Sequence, residues 1–429
     1  MKKYDEYKDS GVAWIGEVPK HWEVLHLKHS LDGLQDGTHG TYASVDAGKV
    51  LLSAKNVTEH GLIIGESERT ISDIDHKEIV SNGFPQQGDI LLCCVGTLGR
   101  CCIFEYPFPI AFQRSVTFLR TNSLLSNRML LYILRNKYID TQFQLFAKTS
   151  AQSGVYMGDL KDFYIVVPPI TEQVTIATYL DTHCAKIDNL ISIQQKRIAL
   201  LQELKQSVIT HAVTKGLNPN VEMKQSGVEW IGDVPKHWKV LRGKYALSIL
   251  SGFPFDSQKF EFEDNGVYMP LIRIRDINGS STEVYYSGSY PIESVVKTGE
   301  VLIGMDGDFN ISKWKGTNAL LNQRVCKLRE DSSMNTHFAF YMLSSPLKAI
   351  NSVTYATTVK HLSVYDIYNA FIPVPPISEQ TAIASYLDRK CATIDTSISN
   401  AQHQIELLQE YKQSLITEVV TGKRKVTDN

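Results

Sequence analysis

The sequence predicts an α+β protein built as an internal repeat: two globular α/β modules separated by a pair of long helices that form a coiled coil. Three observations carry this. The segment SGVAWIGEVPKHWEVL at 10–25 returns as SGVEWIGDVPKHWKVL at 226–241, with thirteen of sixteen residues identical. The stretch 165–214 returns at 372–421 with 31 identities in 50. Between these blocks the two copies share only echoes, so one frame carries two different inserts. Drift of an unconstrained middle would also leave that pattern; two modules of one fold with different targets account for it more sharply.

The repeat divides the chain into an opening segment at 1–25, a first module at 26–167, a first helix at 168–216, a repeated opening segment at 217–241, a second module at 242–374, and a second helix with its tail at 375–429. In the opening segments, Trp14, Trp22, Trp230 and Trp238 are expected to pack as ordered connectors. His21 and His237 are expected to make hydrogen bonds within a turn.

The modules read as strands followed by a helix. In the first, DILLCCV and SVTFL read as strands, and SNRMLLYILRNKYIDTQFQLF at 126–146 reads as one helix. In the second, EVLIGM and RVCKL precede the helical THFAFYMLSSPLKAI. GDILLCCVG echoes GEVLIGMDG, FQRSVTFLR echoes NQRVCKLRE, and SAKNV faintly echoes RIRDI.

Each tail opens on two prolines, Pro168–Pro169 and Pro375–Pro376, which block helix upstream. Thr171 and Ser378 stand as N-caps, with Glu172 and Glu379 in the first turn, favourable to the helix dipole. Apolar residues then recur in steps of three, four and seven: Leu180, Ile187, Ile191, Ile198, Leu201 and Val208, matched by Leu387, Ile394, Ile398, Ile405, Leu408 and Leu415. This is a coiled-coil seam, interrupted by Gln194, Lys205 and Lys412. A helix of this kind, about 64 Å long, cannot hide its stripe alone, and the economical solution is for the two to pair. Pattern alone leaves parallel and antiparallel pairing open.

Composition narrows the function. With 43% hydrophobic residues over 429 positions there is material for real cores, and no apolar run is long enough to span a membrane. The charged start MKKYDEYKDSG does not read as a signal peptide, and seven cysteines, an odd number, favour a reducing cytoplasm. The net charge of −2 argues against nucleic-acid binding by bulk electrostatics. There is no phosphate-cradling G-x-x-x-x-G-K-[ST] loop, no G-x-G-x-x-G fingerprint and no Asn-Pro-Pro-aromatic motif. Cys93, Cys94, Cys101 and Cys102 resemble a metal cluster, but neighbours in a strand point to opposite faces, so buried thiols are expected instead. No catalytic residue or metal ligand is assigned.

The ordered set of WIGEVPKHW and WIGDVPKHW, the two PPI-[ST]-EQ helices, SGFPFDSQKF at 251–260 and PLIRIRDINGS at 270–280 resembles the specificity subunit of type I restriction–modification systems. The resemblance covers essentially the whole chain. It implies that each module is a target recognition domain reading one half of a bipartite, asymmetric site on double-stranded DNA. It also implies an antiparallel coiled coil that sets the spacer and docks two methyltransferase subunits. The chain would hold no cofactor: S-adenosylmethionine, ATP and magnesium belong on partner subunits, including two restriction subunits where the system has them. A modification-only system, or a duplicated coiled-coil scaffold with no DNA role, fits the same frame.

Base edges are read best by Arg, Lys, Asn and Gln, assisted by Ser, Thr and aromatic residues. In the first module the candidates are Thr38, His39, Tyr42, Lys55, Asn56, Gln113, Arg114, Gln152 and Ser153. In the second they are Ser257, Gln258, Lys259, Arg273, Arg275, Gln323, Arg324, Thr358 and Lys360. Residues 20–164 hold 14 Lys and Arg against 15 Asp and Glu, and residues 236–371 hold 15 against 13, so affinity must come from a few placed contacts.

Overall fold

The computed structural model describes residues 2–147, 154–353 and 360–426. The chain forms two compact units, one of residues 1–195 and 403–429, the other of residues 196–402. Each unit therefore holds one module, the start of that module's own long helix and the end of the other repeat's helix.

In the first unit the module is built on a four-stranded antiparallel sheet, in the order Cys101–Ile103, Ile90–Cys93, Val116–Thr121, Leu31–Asp36. A second, three-stranded sheet pairs Ala111–Phe112 parallel to Lys49–Leu52, with Thr70–Ile71 on the far edge. The second module repeats the plan: Ser248–Ser251, Val325–Arg329, Val301–Gly304 and Ile311–Lys313 form its antiparallel sheet. Ala319–Leu321 lies parallel to Met269–Ile272 in its five-stranded sheet. A two-stranded neck closes each module. Glu23–His26 pairs with Tyr164–Val167 in one, and Lys239–Arg242 with Phe371–Val374 in the other.

The stretch 126–146 is two helices, Asn127–Leu134 and Lys137–Phe146, not the single one expected. Arg135 leaves the helical region, and the Asn136 side chain accepts the Tyr138 N–H as the cap of a new helix. The cysteines divide as strand geometry requires. Cys94 and Cys101 enter one core, and Cys93 and Cys102 the other. Burial pushes the Cys94 thiol up to about 12 and that of Cys101 up to about 11.

The long helices are Ile170–Lys215 and Ile377–Val420. They start two residues earlier than N-caps at Thr171 and Ser378 would give, so both lie inside the first turn. The carbonyls of Pro169 and Pro376 accept the N–H groups of Gln173 and Gln380 instead. Pairing is antiparallel within each unit. In the first, Leu415, Ile416, Val419 and Val420 near the end of one helix share a core with Ile176, Leu180, Cys184 and Ile187 near the start of the other. In the second, Ile209, Ala212 and Val213 share a core with Ile383, Ala384, Leu387 and Cys391. Val208 and Leu408 pack at the edges of these cores, as does Ile191. Ile198, Leu201, Ile398 and Ile405 are half-buried, and Ile394 is buried. The lysines that interrupt the seam have partners across it: Lys412 Nζ lies 2.8 Å from Asp188, and Lys205 Nζ 2.7 Å from Asp395.

The dipeptide Glu-Gln at each helix start organises its unit. His21 Nε2 and Trp22 Nε1 meet the Glu172 carboxylate at 2.6 and 3.1 Å, and Tyr4 donates to it at 3.0 Å. His237 and Trp238 meet Glu379 at 2.6 and 3.0 Å. The histidines thus reach across to the long helix, where a bond within their own turn was expected. Trp22 and Trp238 are fully buried, whereas Trp14 is 38% exposed and Trp230 half-buried. The neighbouring glutamines are also fully buried. Gln173 donates to the carbonyls of Leu124 and Pro168 and accepts the Ser126 N–H; Gln380 donates to Ser333 and Pro375 and accepts from Asn335.

Two turns further on, Asp181 accepts the Tyr132 hydroxyl at 2.5 Å and pairs with Arg128. Asp388 accepts Tyr341 at 2.7 Å and Lys313 at 2.8 Å, with His337 at 3.5 Å. Burial alone would raise the Asp388 carboxyl, but the hydrogen bonds from Lys313 and Tyr341 outweigh it and hold it below the usual aspartate range.

Two outcomes follow. Gln173→Ala strands one buried donor and two acceptors, and should lower the unfolding free energy by at least about 2 kcal/mol in denaturant titrations. Asp388 has a depressed folded pKa, so its contribution is complete above the ordinary aspartate range and fades as pH falls through and below it. Asp388→Asn should therefore flatten part of the loss of stability between neutral and acid pH. An unchanged pH profile would assign that loss to other carboxylates.

Candidate nucleic-acid interface

In the first module, backbone hydrogen bonds tie five loops together at one end of the sheets. Gly37 donates to the Val116 carbonyl (2.9 Å), Thr38 to Phe112 (2.7 Å) and Gln113 to Leu52 (2.8 Å). Ala54 N–H donates to the Ser115 hydroxyl (3.1 Å), Cys94 to the Ser115 carbonyl (3.1 Å) and Val155 to Cys94 (3.0 Å). Position 37 must be glycine because a Cβ there would lie 2.3 Å from the Gln113 carbonyl oxygen.

This junction gathers Thr38, Lys55, Gln113 and Arg114. Arg114 is exposed, and Lys55 is 63% exposed with Nζ 2.8 Å from Glu68. His39 is exposed beside Asp36 at 3.8 Å, and the Tyr42 hydroxyl meets the Thr38 hydroxyl at 3.1 Å. Asn56 is buried and turns inward: its carbonyl oxygen accepts the Ser53 N–H at 3.0 Å, and its amide donates to the Ile63 carbonyl at 3.0 Å. It holds the turn that presents Lys55. Gln152 and Ser153 lie outside the described residues.

The second module repeats the junction's five backbone-to-backbone bonds. Gly252 donates to Val325 (2.9 Å), Phe253 to Leu321 (2.9 Å), Asn322 to Ile272 (3.4 Å), Met305 to Arg324 (3.0 Å) and Leu362 to Met305 (2.7 Å). These bonds correct the sequence register by one. Val116 matches Val325, so Gln113 matches Asn322, Arg114 matches Gln323 and Ser115 matches Arg324. The serine before Val116 puts the two Gln-Arg echoes out of step.

Gln323 and Arg324 are exposed, and Arg324 lies 3.5 Å from Asp306. Arg275 is 67% exposed, while Arg273 is held inward by Asp276 and by Glu283 at 3.0 Å. Lys360 donates to the Asn351 carbonyl at 2.6 Å beside His361, which meets Asp306 at 2.6 Å. Ser257, Gln258 and Lys259 form a separate exposed 3-10 turn capped by Asp256, leading into the strand Phe260–Glu261 rather than into the junction. Thr358 lies outside the described residues. Sequence reasoning missed Ser115, Asp306 and His361, whose signal is position beside a strand end rather than any motif.

A family model described as the type I restriction modification DNA specificity domain matches residues 66–203 and 236–407. The chain belongs to that family. The second stretch carries its whole loop junction and helix start; the first carries its helix start and the 94, 112–116 and 155 side of its junction. As a specificity subunit, the chain is a recognition component and not an enzyme. It is 35% identical over 203 residues to the type I restriction enzyme EcoBI specificity subunit of Escherichia coli, an alignment spanning 47% of this chain and 42% of that one. The MjaVIII specificity subunit of Methanocaldococcus jannaschii is 27% identical over 376 residues, 82% of each chain. A solved chain from a study of complex assembly and conformational transition in the type I R-M system shares the fold, with a TM-score of 0.72 at 16% identity over 95% of this chain and 99% of that one. Among the described residues no helix is long and apolar enough to cross a membrane.

Gly252→Ala would put a Cβ 1.9 Å from the Asn322 carbonyl oxygen. It should disrupt the second junction and lower the stability of that module, while the first module keeps its own. Hydrogen exchange of the two modules in the variant checks this.

Proposed function

We propose that each module reads one half of a bipartite, asymmetric DNA site, and that the helix pair fixes the unread spacer and docks two methyltransferase subunits. Two restriction subunits join where the system restricts. S-adenosylmethionine, ATP and magnesium act on those partners, in the cytoplasm. One observation carries this reading: two junctions with the same hydrogen-bond plan present unlike side chains. Thr38 stands where the second module has Phe253, Arg114 where it has Gln323, and Ser115 where it has Arg324. A scaffold for differing loops of this kind suits two readers of differing base sequence. The names of the Escherichia coli and Methanocaldococcus jannaschii relatives support the same assignment.

The test is a methylome. The chain is co-expressed with its methyltransferase subunit in a bacterium lacking adenine methylation, and modified bases are mapped by single-molecule sequencing. The expected result is one asymmetric motif in two parts with a fixed gap. A stable complex that leaves no new methylation would favour a scaffold without a DNA role.

A further inference from the structure

The two modules differ in their loops but keep one positive charge in one place. SAKNV at 53–57 and RIRDI at 273–277 have no identical residue, yet they form the same turn. Asn56 and Asp276 are both buried at its base, and each accepts the N–H three residues back, from Ser53 at 3.0 Å and from Arg273 at 2.9 Å. Leu51 donates to the Arg69 carbonyl and Leu271 to that of Val284, so Glu68 and Glu283, each one residue earlier, are equivalent. Above the turn stand Lys55 and Arg275, 63% and 67% exposed, each beside that carboxylate at 2.8 and 3.7 Å.

We propose that Lys55 and Arg275 are phosphate anchors, each contacting the DNA backbone and neither reading a base. This rests on the reading that the modules bind DNA. Two modules that read unlike half-sites differ where the base edges they touch differ. They agree where they touch what every sequence shares, and a phosphodiester is that shared ligand. The substitution of lysine for arginine between the modules fits a point charge on a phosphate, whereas at a contact that uses the guanidinium fork the exchange is not conservative. The flanking glutamates hold the long side chains against the module and lower the pull of the bare cations on arbitrary DNA. Near-neutral modules thereby gain a placed phosphate contact without becoming basic clamps.

The experiment uses the full chain assembled with its methyltransferase subunits. Two duplexes, one carrying the mapped sequence and one scrambled, are titrated over a range of salt with wild type, Lys55→Ala, Arg275→Ala and Arg275→Lys. Both alanine variants should weaken both duplexes by the same factor, within about twofold, and lower the slope of log affinity against log salt by about one. Arg275→Lys should match wild type. The side chains are exposed, so thermal unfolding should be unchanged.

If Arg275→Ala and Arg275→Lys weaken only the mapped duplex, Arg275 reads a base and the proposal fails. It fails equally if both alanine variants bind both duplexes as wild type does. Retention of neither duplex by the wild-type complex would instead sink the DNA-binding reading itself.

Discussion

Everything in each unit hangs on the Glu-Gln pair at the start of its long helix. The glutamate receives a buried tryptophan and a histidine from the opening segment of its repeat. The glutamine, with no exposure at all, satisfies three backbone groups where the module's last helices and the Pro-Pro entry converge. A buried amide that makes all its hydrogen bonds tolerates few alternatives, because any shift leaves several polar groups unpaired at about 1–3 kcal/mol each. Opening segment, module and helix are thus registered against one another at a single point. The aspartates Asp181 and Asp388 add a second point about two helical turns further along.

Why the frame is repeated follows from the helices. Each carries an apolar stripe over some 45 residues that no single module can cover. In each unit the stripe at the start of one helix is buried by the end of the other, and the lysine that falls in the seam meets an aspartate from the opposite repeat. A lysine in an apolar seam is costly when unpaired. Here it favours antiparallel pairing in one register, because only that register brings Lys205 to Asp395 and Lys412 to Asp188. The duplication makes the chain its own partner.

The modules show how a fold can be kept while its surface changes. The glycines at 37 and 252, the strand-end carbonyls they bond and the parallel strand pair behind them are held in common, because backbone geometry there leaves no room for a side chain. The side chains above the junction are free to vary, having no core to fill. Substitution there alters what is presented without disturbing what presents it.

The repeat, the α+β class, the helix lengths to within a few residues and the coiled-coil seam were all legible in the sequence, since each rests on local periodicity or on direct identity. Thr38, Lys55, Gln113, Arg114, Arg275, Gln323 and Arg324 could be named from residue type, but not their gathering near strand ends. Tertiary structure alone decided the rest. Asn56 proved to be an internal support, and Arg273 is paired with Asp276 and Glu283, because the partners lie three to ten residues away, which composition does not reveal. The register between Gln113 and Asn322 is set by strand pairing and not by the matching letters. The roles of Glu172, Gln173, Glu379 and Gln380 depend on segments up to 168 residues distant being brought to one helix turn. The antiparallel sense of the helix pair was open in the pattern, because a heptad stripe has no direction; only the partners of its charged residues give it one.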